Sequence, residues 1–201
     1  MTKQKPKVIF LDAVGTLFGV QGSVGEVYSA IAHQHSVQVP AESLDAAFLK
    51  AFAAAKPPVF PGSGPEEIPQ CEFEWWRVIA LRTFQNAGVL SQFVDFNDFF
   101  DELYNYFATA EPWFIYPDVL PALEKWQRLG IELGVLSNFD SRIYLVLKAL
   151  KLEGFFTSVT ISTEAGFAKP NPKIFAVALQ KHECDAKDAW HIGDSRKEDY
   201  Q

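Results

Sequence analysis

Three short apolar runs each end at a residue able to do chemistry: KVIFLD (residues 7–12), IELGVLS (131–137) and AWHIG (189–193), the last followed by Asp194. Runs that are apolar on successive rather than alternate residues are those of strands buried on both faces, as in a parallel sheet. Parallel strands need crossover connections, and helical segments stand between these runs. In an open α/β sheet the ligand sits beyond the carboxyl ends of the strands. Asp12, Ser137 and Asp194 are therefore expected at one edge, where isolated acids would otherwise read as helix caps or turn formers.

Between the first two runs the texture differs. Residues 23–36 and 42–55 read as helices; in the second, Leu44, Ala47, Phe48, Ala51 and Phe52 recur at helical spacing. The stretch KPPVFPGSGPEEIPQ (56–70) is rich in Pro and Gly and is expected to be a loop. Helices follow over 71–87 and 95–108, carrying Phe73, Trp75, Trp76, Phe84, Phe96, Phe99, Phe100, Tyr104 and Phe107. Their helix-face spacing assigns these rings to a packed core rather than to an aromatic cofactor cage. From Pro112 onward the alternation resumes: helix 117–129, strand 131–137, helix 141–151, a strand near 158–162, helix 172–181 and strand 189–193. The expected fold class is α/β, a Rossmann-like parallel sheet built from residues 1–20 and 112–201. An α-helical domain, residues 21–111, is inserted in it.

The chain has 201 residues, 48% of them hydrophobic, with 25 Asp and Glu against 18 Lys and Arg. That length buries a sizeable core, and the net charge of -7 argues against nucleic acid or an anionic membrane as partner. Cys71 and Cys184 show no metal-ligand spacing; two isolated thiols fit a reducing cytoplasm. Asp12 interrupts the apolar N-terminal run, which reads as a buried strand rather than a signal peptide. No transmembrane span is expected.

Four segments, FLDAVGTL around Asp12, VLSNFD around Ser137, AKPNPKIF around Lys169 and HIGDSRKED around Asp194, resemble the motifs of the haloacid dehalogenase-like (HAD) hydrolase superfamily. The resemblance is to its subgroup with a helical cap inserted just after the first motif. It implies that Asp12 is the nucleophile, forming an aspartyl-phosphate, with Thr16 as the threonine ending that motif. It implies that Ser137 and Asn138 bind the phosphoryl group or orient the substrate. Lys169, preceding the turn at Pro170, would neutralise the nucleophile and the developing charge. Asp194 would ligate Mg²⁺ together with Asp12 and the Val14 backbone carbonyl, with Asp199 supporting from outside. The implied partner is a small phosphorylated molecule; oligomeric state is not readable.

One residue departs from the pattern. The family's phosphatases carry an aspartate two residues after the nucleophile as general acid and base, and Val14 stands there. Such assistance is worth about 10²–10⁴-fold in rate. Three readings stay open: a slow phosphatase for esters with good leaving groups, a proton donor elsewhere such as His33 or His35, or a relative's reaction needing no acid. Dehalogenases replace the metal acid, whereas Gly193-Asp194-Ser195 keeps it. Phosphonatases need a cap lysine, and nothing marks Lys50 or Lys56 as that residue. A non-catalytic descendant binding a phospho-ligand or a protein is the rival from another class. Arg142 and Lys56 are lone basic residues expected to face solvent unless they meet the phosphate, and His191 is expected to pack within its strand. Relatives normally continue beyond the residue matching Asp199 with a helix and a strand, so the chain, ending at Gln201, reads as truncated.

Overall fold

The computed structural model describes residues 5–200. Four parallel strands, β1 (Val8–Leu11), β4 (Glu132–Ser137), β5 (Ser158–Ile161) and β6 (Ala189–Ile192), form one sheet in the order β5-β4-β1-β6. All four residues of β1 are buried, as a central strand between β4 and β6 requires. Side chains alternate across it. Ile9 and Leu11 pack with Val119 and Leu123 of α5 (Val119–Arg128) and with Ile143, Val146 and Leu147 of α6 (Ile143–Ala149). Val8 and Phe10 face Ile174 and Ala178 of α8 (Pro172–Lys181) on the other side. The layering is thus helix–sheet–helix, an α/β fold of the Rossmann-like kind.

A second core lies in four helices: α1 (Val24–Gln34), α2 (Ala41–Ala53), α3 (Ile68–Asn86) and α4 (Phe96–Tyr106). Tyr28, Ile31, Leu44, Phe84, Phe99 and Phe100 are buried together there. The aromatic residues pack mainly edge to face; Phe84 and Phe99 lie 4.9 Å apart at 80°, the geometry favoured by ring quadrupoles. Among the described residues, no helix is long and apolar enough to cross a membrane.

Some elements differ from expectation. The ribbon β2 (Phe18–Val20) and β3 (Trp113–Ile115) pairs antiparallel where the chain leaves and re-enters the α/β unit. The Gln21 N–H donates to the Pro112 carbonyl at 2.7 Å. Two three-residue strands so remote from each other in the chain leave no local periodicity to read. Helix α3 starts at Ile68 rather than 71, with Pro69 in its first turn, where the missing N–H costs nothing. The expected strand near 158–162 ends at Ile161, and the one-turn helix α7 (Ser162–Ala165) follows at once.

Candidate active site

The register of the sheet gathers the strand-end residues. Leu11 is opposite Val135 on β4 and Ile192 on β6, so the segments just beyond all three strands open at the same edge. The Asp12 N–H donates to the Ile192 carbonyl at 2.9 Å, continuing the ladder one residue further. Gly15, at φ +87°, then lets the chain turn close to the β6 loop: a Cβ there would lie 2.5 Å from Asp194 Oδ2, which only glycine avoids.

Lys169 comes to the same edge from the turn before α8. Its buried Nζ lies 3.0 Å from Asp12 Oδ1 and 2.6 Å from Asp199 Oδ1. Asn138 fixes that turn: its Oδ1 accepts the Lys169 N–H at 2.7 Å, and its Nδ2 donates to the Lys169 carbonyl at 3.1 Å and to Glu198 Oε2 at 3.0 Å. The Asn138 amide is therefore engaged with the backbone that carries the lysine. Ser137, the last residue of β4, is buried beside it. Thr16 Oγ1 is buried with no partner among the described residues.

Asp199 is surrounded by donors. Its Oδ1 also accepts from His191 Nε2 at 2.8 Å, and its Oδ2 accepts the Ser195 N–H at 3.0 Å. Burial works to raise its pKa, but the bonds from Lys169 and His191 win and hold the carboxyl below the usual range. Burial lowers the pKa of His191, outweighing the pull of Asp199. His191 does lie in its strand, edge-on to Phe175, and it also supports Asp199. Nothing in sequence spacing marks that second role.

Asp12, Asp194 and Asp199 bring carboxylate oxygens within 4.8 Å of one another. Burial first, then the negative charge of Asp12 and Asp199, pushes the Asp194 carboxyl up. An all-oxygen donor set under such like-charge crowding fits a hard divalent cation such as Mg²⁺. Both oxygens of Asp199 are taken up by Lys169, His191 and Ser195, whereas Asp12 meets Lys169 through Oδ1 alone, so its other oxygen and Asp194 are the carboxylate donors left to face an ion. Val14 is 38% exposed, and its side chain has no proton it can transfer.

Arg142 neither faces solvent nor is left free for a phosphate. It is buried and forked onto Asp140, with Nε–Oδ1 at 2.8 Å and Nη2–Oδ2 at 2.7 Å. Its guanidinium lies 3.8 Å from the Tyr104 ring centroid. The reason is local, since an aspartate two residues earlier supplies the matching carboxylate. His35 pairs with Glu102 at 2.9 Å and packs on Phe99, and His33 is exposed; neither is among the contacts of Asp12. Lys50 and Lys56 are exposed, and the Lys56 carbonyl accepts from Trp75 Nε1 at 2.9 Å.

These motifs on this sheet edge define a hydrolase of the HAD type, and comparison with known proteins agrees. The model of the haloacid dehalogenase-like hydrolase family matches residues 6–201, and the chain belongs to that family. It is similar to haloacid dehalogenase-like hydrolase domain-containing protein 3 of Mus musculus, 32% identical over 195 residues, covering 97% of this chain and 76% of the relative. The Xenopus laevis protein of the same name is 31% identical over 194 residues, covering 96% and 78%. Among solved structures, a HAD phosphatase from Thermococcus onnurineus superposes with a TM-score of 0.62 at 21% identity, covering 96% of this chain and 79% of that one. A 2-haloacid dehalogenase from Pseudomonas syringae pv. Tomato gives 0.63 at 21% identity, covering 96% and 80%. Phosphatase and dehalogenase match equally well, so the fold does not choose between the two chemistries.

Proposed function

We propose that this chain is a Mg²⁺-dependent phosphatase of a small phosphate ester, working through an aspartyl-phosphate on Asp12. The observation that carries the reading is the buried Lys169 ammonium bridging Asp12 and Asp199, beside an Asp194 that a dehalogenase would not need. In the first step an Asp12 carboxylate oxygen attacks phosphorus and the bond to the ester oxygen breaks. Lys169 and the Ser137 hydroxyl offset the charge on the phosphoryl oxygens. In the second step water attacks the phosphorus of the acyl phosphate, phosphate leaves and the Asp12 carboxylate is restored. Bound Mg²⁺, held by Asp12 and Asp194 with Asp199 behind them, would supply further neutralisation of phosphoryl charge.

Val14 shapes both steps. No side chain at that position protonates the departing oxygen or takes the proton from water, so esters with acidic leaving groups are favoured. The helices of residues 21–111 act as a cap, excluding water and selecting the substrate. The same valine supports a second reading, a non-catalytic descendant that binds a phosphorylated ligand.

The test is Mg²⁺-dependent phosphate release over an ester panel for wild type, Asp12→Asn and Val14→Asp. Release by wild type that vanishes in Asp12→Asn is expected. Undiminished release in Asp12→Asn removes Asp12 as nucleophile. Tight ligand binding without release by wild type favours the second reading.

A further inference from the structure

The loop joining β4 to α6, residues 138–142, is held from two sides. On one side Asn138 binds the Lys169 backbone through both ends of its amide. On the other, helix α3 reaches across from the helical layer. The buried Glu72 accepts the Ser141 N–H at 3.0 Å with one oxygen and the Ser141 hydroxyl with the other. One turn along α3, Trp76 Nε1 donates to Asp140 Oδ2 at 2.7 Å. Asp140 also holds Arg142, whose Nη1 donates to the Tyr104 carbonyl of α4 at 3.1 Å.

Glu72 has an exposure of 1% and Asp140 of 2%. Polar groups so removed from water are costly to leave unpaired, so these contacts resist breaking singly. They are directional as well, which the apolar packing elsewhere between layers is not. A shift of α3 therefore pulls on Asp140 and Ser141. The loop so held follows Ser137 directly and, by way of Asn138, binds the Lys169 backbone.

We propose that Glu72 and Trp76 are positioning residues for the active site. By gripping Ser141 and Asp140 they set the loop that places Ser137 and holds Lys169 against Asp12, so helix docking and site geometry are one coupled state. The proposal rests on the phosphatase reading only for its catalytic consequence; the mechanical coupling stands apart from it.

Amide hydrogen exchange on the full chain tests the coupling without turnover, using Glu72→Ala, Trp76→Phe and Glu72→Gln. Glutamine retains an acceptor for the Ser141 N–H and a donor for its hydroxyl. Exchange in Glu72→Ala and Trp76→Phe should quicken by at least about tenfold in residues 138–142 and also at Ala168 and Lys169, while β1 stays protected. Glu72→Gln should restore wild-type protection. Where wild type turns over an ester, kcat should fall at least about tenfold in Glu72→Ala, more than KM changes, and recover in Glu72→Gln. Quickening confined to α3 and Ser141, with Ala168 and Lys169 unchanged, overturns the proposal. Should Glu72→Ala unfold, Trp76→Phe decides by the same two segments. A wild type silent on every ester defeats the functional reading, while the exchange rates still decide the coupling.

Discussion

At the residue scale, Val14 separates what this site can hold from how fast it can act. The ammonium, the hydroxyl and the carboxylates all meet at one sheet edge, yet the position two residues after Asp12 offers only methyl groups. Restoring a carboxyl there should matter most where the leaving oxygen most needs a proton. Val14→Asp is expected to raise phosphate release from an alkyl phosphate by about 10²–10⁴-fold and from an aryl phosphate with an acidic phenol far less. Equal gains on both esters would contradict the assignment. Glu72 shows the opposite balance, a carboxyl that burial pushes up against the hydrogen bonds from Ser141 and beside the negative Asp140. Tyr104 and Tyr144 are near enough to feel its charge as well. A carboxyl with a raised folded pKa contributes stability that is present below the unfolded value and lost as pH rises through the folded one. Melting curves of Glu72→Gln should accordingly match wild type near pH 4, the ordinary glutamate value being about 4.3, and lie above it at pH 7–8. Parallel curves over that range would remove the effect.

At the scale of elements, the helical layer contains one close crossing. Ser23 caps α1, accepting the Glu26 N–H at 3.1 Å, and both Ser23 Oγ and the Gly25 N–H donate to Asp45 of α2, at 2.7 Å and 2.6 Å. A Cβ on Gly25 would collide with the Ala41 carbonyl oxygen and with Asp45. Gly25→Ala is expected to destabilise the protein by about 1–3 kcal/mol, read by urea denaturation, although alanine is the better helix former. A stabilised variant would show that propensity outweighs the crossing. Helix identity was legible here because apolar residues recur at helical spacing, and α8 runs from 172 to 181 as its pattern predicts. The β2–β3 ribbon was not legible, since its pairing joins segments remote in sequence.

At the scale of the whole molecule, strand order turns four separated motifs into one centre. That centre should report on a cation even without substrate. A ligand bound only to the folded state at 100 times its Kd adds about 2.7 kcal/mol of stability. Mg²⁺ should therefore raise the melting temperature of wild type, and Asp194→Asn should abolish the rise. A rise persisting in Asp194→Asn would place the ion elsewhere.

The sequence by itself determined the strands of the parallel sheet, most of the helices and the chemistry available to them. Apolar runs specify strands, although β6 at the sheet edge is only partly buried and leaves Trp190 exposed; helical spacing specifies the helices, and an acid, hydroxyl or lysine is the same group wherever the chain takes it. Only the tertiary structure decided which partners those groups find. Asn138 binds the Lys169 backbone, Asp199 is shared by Lys169, His191 and Ser195, and Arg142 is buried on Asp140 rather than turned to solvent. Glu72, unremarkable in a helical pattern, becomes the grip between two layers. The physical reason is that composition and period are local, whereas desolvation and hydrogen-bond satisfaction depend on what the fold brings within about 3 Å.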